Sequence, residues 1–447
     1  MSTAGRAGAR WGLLAALAAG LLASPVLAAD RPSLADLGLK GEALFKSFTY
    51  FANTPNDNQQ VVNEGVLQLE WSHRLGAWGS TKIVGRARDD DVGFTRELTF
   101  QIPETSQRRS YLDLREATLS ARGGPIDVTL GKQIFAWGTA DAFNPTDNLN
   151  PYDYLDVLDN EKLGIWSAAA RASHGATSLT FVAVPFFTPS RLPLFKSRWT
   201  PVVPPAFRAV ADDPVRPEQD ASATQYAARL KSTFAGVDAS LSYYDGFRHT
   251  LAFRQSALAI APGVTLPRLT PVYTREKVPG ADVSTTLGRF EIHAEAAARF
   301  VESNGRDDVL QTIGGINYTQ DVGWKWLDQV VVILEYARET SLRRVDSRIV
   351  RTEGTPVVGD LLSDRAFRNA PIGRIQAKLT EDTSVKLSGV ADLTVTPSYY
   401  LQLKATHRIT DALQAEAGLD FLTGRPETFW GRWGDNDRFF LVLRYLF

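Results

Sequence analysis

Arg438-Phe-Phe-Leu-Val-Leu-Arg-Tyr-Leu-Phe447 is the stretch whose reading decides the fold. Counting back from Phe447, every second side chain is apolar: Phe447, Tyr445, Leu443, Leu441 and Phe439. A period of two is that of a β-strand with one apolar face, because successive side chains point to opposite sides.

Working outward, the alternation recurs. In Asp411 to Phe421, Leu413, Ala415, Ala417, Leu419 and Phe421 share one face, and Gln414, Glu416, Gly418 and Asp420 share the other. Arg289 to Phe300 and Pro397 to Arg408 split in the same way. A helix, with 3.6 residues per turn, would not separate polar from apolar at these spacings. Short links such as Gly76 to Gly79, His174-Gly175, Ala235-Gly236 and Ile409 to Asp411 alternate mostly with long polar or Pro-rich ones. The long ones include Asp89 to Gln107, Gly138 to Asn160, Thr188 to Ala221, His249 to Glu276 and Ser341 to Arg365. This pattern predicts an all-β, transmembrane antiparallel β-barrel with short periplasmic turns and long extracellular loops. The tally is about 18 strands, with 16 the alternative, from Lys40–Phe51 to Phe447; Val278 to Leu287 is the weakest strand.

At the other end, Arg6 and Arg10 precede an apolar run from Trp11 to Ala23, followed by Ser24-Pro25 and Val26-Leu27-Ala28. A charged start, a short apolar middle and small residues at a cleavage site read as a secretory signal peptide. The expected organisation is a signal peptide over residues 1–28 and a single barrel domain over 29–447, exported by a Sec-type route to the outer membrane of a Gram-negative bacterium. Thr188 to Ala221 is Pro-rich, but alternation resumes at Gln225, so it reads as a loop within that domain.

Without residues 1–28 the chain has 419 residues. Its 49 basic residues lose two arginines against 50 acidic ones, giving a net charge of −3. That excludes a general electrostatic grip on nucleic acid. Cysteine is absent, so an exported chain has neither disulfides nor thiolate metal ligands. A mean hydropathy of −0.16 fits a barrel, whose lipid-facing and water-facing residues alternate. Trp71, Trp166, Trp324, Trp326, Tyr336, Tyr399 and Tyr445 fall near strand ends, where an interfacial girdle places aromatic residues.

Strand parity assigns to the lumen the candidate pore-lining residues Arg86, Arg229, Lys231, Arg299, Arg374 and Lys404, with Glu116, Asp127, Glu291, Glu295 and Glu416. A cation facing mid-bilayer costs about 2–4 kcal/mol, so these charges require a wet or internally paired interior. Their near-balance argues against strong ion selectivity.

The most distinctive stretch runs from Gly131 to Asp153. It carries two Asn-Pro turns, at Asn144 and Asn150, and three acids six apart, Asp141, Asp147 and Asp153. Asx side chains bond nearby amides and Pro fixes the turn, so this is a rigid candidate constriction loop. The loop from Gly138 to Asn160 is expected inside or across the barrel mouth, with Arg86 and Arg229 as partners for Asp141 or Asp147. The acid spacing matches no EF-hand loop, and no metal or cofactor site is assigned. Five histidines, with no serine placed for a lipase-like pair, give no catalytic set.

Two resemblances add to this reading. The aromatic-ended terminal strand resembles the closing strand of bacterial outer-membrane barrels, which implies recognition of Phe447 by the barrel-assembly machinery. Leu-Gly-Lys-Gln at 130–133, Trp137-Gly138 and Asn144-Pro-Thr-Asp147 resemble a family of proteobacterial outer-membrane barrels, itself distantly similar to alginate-export channels. That resemblance implies a porin or exporter embedded in outer-membrane lipid, and some relatives serve lipid or hydrophobic-compound traffic. The mixed lumen departs from the arginine-rich pore of alginate exporters. The expected function is a channel for small or hydrophobic solutes. The alternatives are a dedicated polysaccharide or lipid exporter with a periplasmic transport partner, and a plugged structural or docking barrel.

Overall fold

The computed structural model describes residues 38–98, 102, 104–200, 214–261, 263–302, 308–343, 367–394 and 396–447. The expected signal peptide over residues 1–28 and its expected cleavage site lie outside them.

Eighteen strands form one closed sheet. The first six are β1 (Leu39–Tyr50), β2 (Val61–Leu75), β3 (Gly79–Asp90), β4 (Leu112–Gly123), β5 (Ile126–Gln133) and β6 (Ile165–His174). Next come β7 (Thr177–Val184), β8 (Gln225–Phe234), β9 (Val237–Phe247), β10 (Arg275–Leu287), β11 (Phe290–Val301) and β12 (Asp308–Trp324). The last six are β13 (Leu327–Arg343), β14 (Asn369–Lys378), β15 (Thr383–Asp392), β16 (Ser398–Arg408), β17 (Leu413–Thr423) and β18 (Arg438–Leu446). Each barrel strand pairs antiparallel with its neighbours in sequence, and β1 closes on β18, from Glu42 opposite Leu446 to Tyr50 opposite Arg438. Closure matters physically because an open sheet edge in hydrocarbon leaves amides and carbonyls with no partner.

The strand tally matches the sequence reading, including the weak segment, which is a full strand at β10. One long link was under-read. His249 to Glu276 contains a hairpin of its own, Ala252–Ala261 paired with Val264–Val272, outside the barrel sheet. Its signal was Pro262-Gly263 between two stretches of strand-forming residues, and Gly263 takes the positive φ (76°) that the turn requires.

Side chains sort by parity as a membrane barrel demands. Leu241, Leu334, Ile375, Leu401 and Leu403 stand exposed on the outer face, and Trp324 and Trp326 flank a short turn at the rim. An exposed apolar band rimmed by aromatic residues on a closed barrel suits a bilayer and little else, which makes this an integral outer-membrane architecture. Inward residues differ between the two ends. Near the short turns, Lys82, Lys231, Lys378 and Lys404 keep part of their side chains exposed. Near the long loops, inward residues are buried: Glu276, Glu335, Asp420 and Arg438 are each no more than 4 % exposed. The outer half of the barrel is therefore packed with protein, and the short-turn half forms a more open vestibule.

Candidate functional site in the lumen

Residues 134–164 and 185–200 supply much of the filling. Their apolar side chains make cores against the inward wall. Leu155 and Trp199 pack with Tyr50, Leu422, Trp430, Trp433 and Phe440. Trp137 and Leu149 pack with Ile165, Val182, Tyr244 and Val278. Phe143 stacks on Phe367 at 4.9 Å and packs beside Ile313, Ala337 and Ile372.

Polar anchors hold the segment at three places. At its base, Asn150 Oδ1 accepts from Phe135 N (2.7 Å), and Nδ2 donates to the carbonyls of Gln133 (3.1 Å) and Leu163 (2.8 Å). One asparagine thereby ties the loop's two legs together. Asp147 pairs with Lys162, which also donates to Phe135 O. Burial raises the Asp147 carboxyl above its ordinary value even though Lys162 pulls it down.

On one wall, four successive backbone amides bind two buried carboxylates. Thr139 N and Ala140 N donate to Glu295 of β11, whose other oxygen accepts from Thr146 Oγ1 (3.1 Å). Asp141 N (2.7 Å) and Ala142 N (3.0 Å) donate to Glu335 of β13. Gly138 is required at this approach. Its φ is +101°, and a Cβ there would lie 2.3 Å from Asn144 Oδ1 and 2.5 Å from Glu295 Oε1.

On the other wall the anchors are ion pairs. Arg438 of β18 donates to Asp156 (2.5 Å) and Asp420 (2.8 Å), and Lys46 of β1 meets Asp159 at 2.6 Å. Within the filling itself, Asp153, fully buried, accepts from Arg109 Nε (2.9 Å) and Arg191 Nη1 (3.0 Å), both on segments outside the barrel sheet. Burial opposes its charge, but these two guanidiniums prevail and hold its carboxyl below the ordinary range. Glu161 takes Arg86, Arg88 and Arg115 at 2.5–2.7 Å. Against burial, the surrounding arginines lower it to about 2.

The sequence-assigned residues are placed as follows. Arg374 meets Asp141 at 3.3 Å, and Lys404 meets Glu416 at 2.6 Å. Glu116 pairs with Lys82, Asp127 with Arg122, Lys231 with Asp238, and Arg299 with Glu276. Glu291 is exposed and accepts from Asn317 Nδ2 at 3.4 Å. Asn144 accepts from Asp147 N through its carbonyl. Two expected partnerships are corrected. Arg86 binds Glu161 and Gln68, and Arg229 binds Asp282 and Ser240; neither makes an ion pair with Asp141 or Asp147. Registry explains it: both arginines find partners on their own wall or at the loop's far leg. The three evenly spaced aspartates also serve three separate places rather than one. Sequence reasoning missed Arg109, Asp156, Glu161, Arg191 and Arg438. Arg438 alone carried a usable signal, since it falls on the face opposite the apolar stripe from Phe439 to Phe447.

No protein-family model matches this sequence, and no curated protein does. Among solved structures the chain is similar to Wzi, described as a carbohydrate-binding β-barrel involved in group 1 capsule assembly in Escherichia coli. That match has 11% identity over 93% of this chain and 86% of that one, with a TM-score of 0.49. Pseudomonas aeruginosa OccK3 (OpdO) matches at 11% identity over 93% and 97%, with a TM-score of 0.49. A BenF-like porin from Pseudomonas fluorescens matches at 9% over 91% and 97%, with a TM-score of 0.48. Likenesses this weak say nothing about what passes or binds, and the barrel itself rests on the strand pairing described above.

Proposed function

We propose that the protein is an outer-membrane channel for small or hydrophobic solutes, with its outer half narrowed by the segment 138–162. The observation that carries this reading is the span of that segment. It is held to β11 and β13 by Glu295 and Glu335, and to β1 and β18 by Lys46 and Arg438. A strap fixed to separated walls of a barrel sets the bore, and the mixed charges of the vestibule below it favour neither cations nor anions. Replacing residues 139–146 by a short Gly-Ser link should raise single-channel conductance in planar bilayers and admit larger solutes. Conductance equal to the parent's would remove the strap from the account of permeation.

A second reading, a sealed structural or docking barrel, draws support from the buried ion pairs around Arg438, which fix the filling more firmly than passage needs. Absence of conductance in both parent and shortened chain would favour it. Recognition of Phe447 by the assembly machinery belongs to the proposal as well: replacing Phe447 with Asp should lower the folded yield in the outer membrane.

A further inference from the structure

We infer that Asp141, His293 and Glu335 form a binding site for a transition-metal dication of the Zn2+ type, which staples the lumenal strap to the wall. The three come from the strap, β11 and β13, and one ligand atom of each lies within 4.8 Å of the other two. Ligand atoms around a tetrahedral zinc sit about 3.4 Å apart, given bonds of about 2.1 Å. The adjustments are small: His293 Nε2 and Glu335 Oε1, now 2.8 Å apart, must part by about 0.6 Å to reach that spacing, and Asp141, the exposed member, is the one able to close in.

Charge points the same way. Glu295 and Glu335 are 3 % and 4 % exposed. Among the described residues neither has a lysine or arginine at ion-pair distance; Glu335 has only His293, with Nε2 2.8 Å from Oε1. A buried carboxylate without a cation is costly, and a metal ion supplies the missing charge. His293 is wholly buried in its side chain, and its Nδ1 has no hydrogen-bond partner among the described residues. The amides of Asp141 and Ala142 that bind Glu335 hold its carboxylate in place, as outer-shell donors do around metal ligands. Room for the imidazole comes from Gly315: a Cβ there would lie 2.5 Å from His293 Nε2 and 2.6 Å from Glu335 Cγ. One imidazole with two carboxylates suits zinc and its neighbours better than calcium or magnesium, which take oxygen ligands. The competitors are Arg374, 3.3 Å from Asp141 Oδ1, and Asn317, whose Nδ2 donates to Asp141 Oδ2 at 2.9 Å; one of the two oxygens must be released when the ion enters.

This site does not depend on whether the barrel conducts. Zn2+ is titrated calorimetrically into the refolded mature barrel in detergent, with folding of every variant checked by heat-modifiable gel mobility. One saturable site per chain is expected. Loss of an outer-shell partner alone weakens metal sites about 10–100-fold. Asp141→Asn, at an exposed position that leaves folding intact, should therefore raise the Kd at least about tenfold, and His293→Gln should abolish the site. Arg374→Gln should tighten it. No saturable Zn2+ binding by the parent overturns the inference. So does an unchanged Kd in both Asp141→Asn and His293→Gln, which would place the ion elsewhere, or equal affinity for Ca2+, which would remove the imidazole from the ligand set.

Discussion

The strap's two attachments solve one problem with opposite chemistry. At the Arg438 wall, buried acids meet buried guanidiniums directly, and Arg438 also lies 4.3 Å from the Phe48 ring centre. At the Glu335 wall the buried acids meet backbone amides, each donor carrying only a partial charge, and the one ion pair there, Asp141 with Arg374, is partly exposed. A buried ion pair is costly to break from one side, because the surviving charge stays behind in a poor solvent. Amide-to-carboxylate bonds are individually weaker and can be remade by water. The lesson is that one end of the strap is an anchor and the other is a catch.

Removing the anchor's centre should have the largest effect. Arg438→Ala strands Asp156 and Asp420 without their cation and should cost about 3–5 kcal/mol of stability. Urea unfolding in detergent, followed by heat-modifiable mobility, measures it. A loss no greater than that from a surface substitution would break the distinction between the ends.

Next comes the catch. Glu335→Gln keeps the side chain's shape but faces the amides of Asp141 and Ala142 with a neutral group, at an expected cost of about 1–3 kcal/mol. Its signature should be local: noisier single-channel current and faster amide exchange at 139–142, with the Arg438 end unaltered. Equal exchange rates at both ends would show that the strap moves as one piece.

Acid should act first on the ion-pair end. The Glu161 carboxyl is lowered in the folded protein from 4.5 to about 2, so its contribution is complete above the higher value and is lost as pH falls toward the lower. Asp153 shifts in the same sense. Asp147 shifts upward, so its protonation favours the folded form and opposes the loss. The urea midpoint should therefore fall as pH drops from about 4.5 to about 2, less steeply than Glu161 and Asp153 alone would dictate. Replacing Glu161 with Gln should flatten that profile.

Smallest of all, Lys404→Met in the vestibule should change stability by no more than about 1 kcal/mol, since its pair with Glu416 is partly exposed. It sets the scale for a charge pair that water still reaches.

The barrel was legible in the sequence because period-two alternation is local. Leu413 to Phe421 shows its two faces with no knowledge of its neighbours. Inward parity was legible for the same reason, so Glu295 and Arg374 could be placed in the lumen. Partnerships were not. Asp141 meets Glu335 and Arg374 only because the strap crosses the barrel, and neither spacing nor composition encodes a crossing angle. The hairpin 252–272 was missed because its flanks lack a clean polar face, leaving Pro262-Gly263 as its signal. Asn144 and Asn150 were read as turn formers; the second is also the clasp between the loop's legs, a role that needs the third dimension.

Gly41 and Phe447 exchange two backbone bonds at the seam, and a Cβ on Gly41 would lie 2.5 Å from the Phe447 ring. The two strands that seal the cylinder are thus some four hundred positions apart. A polypeptide arrested on the ribosome before β18 has two raw edges, each a template for a foreign strand. Until the strand Arg438–Leu446 lies along β1, both borders of the sheet keep their amides and carbonyls on offer, and closure withdraws the two at once.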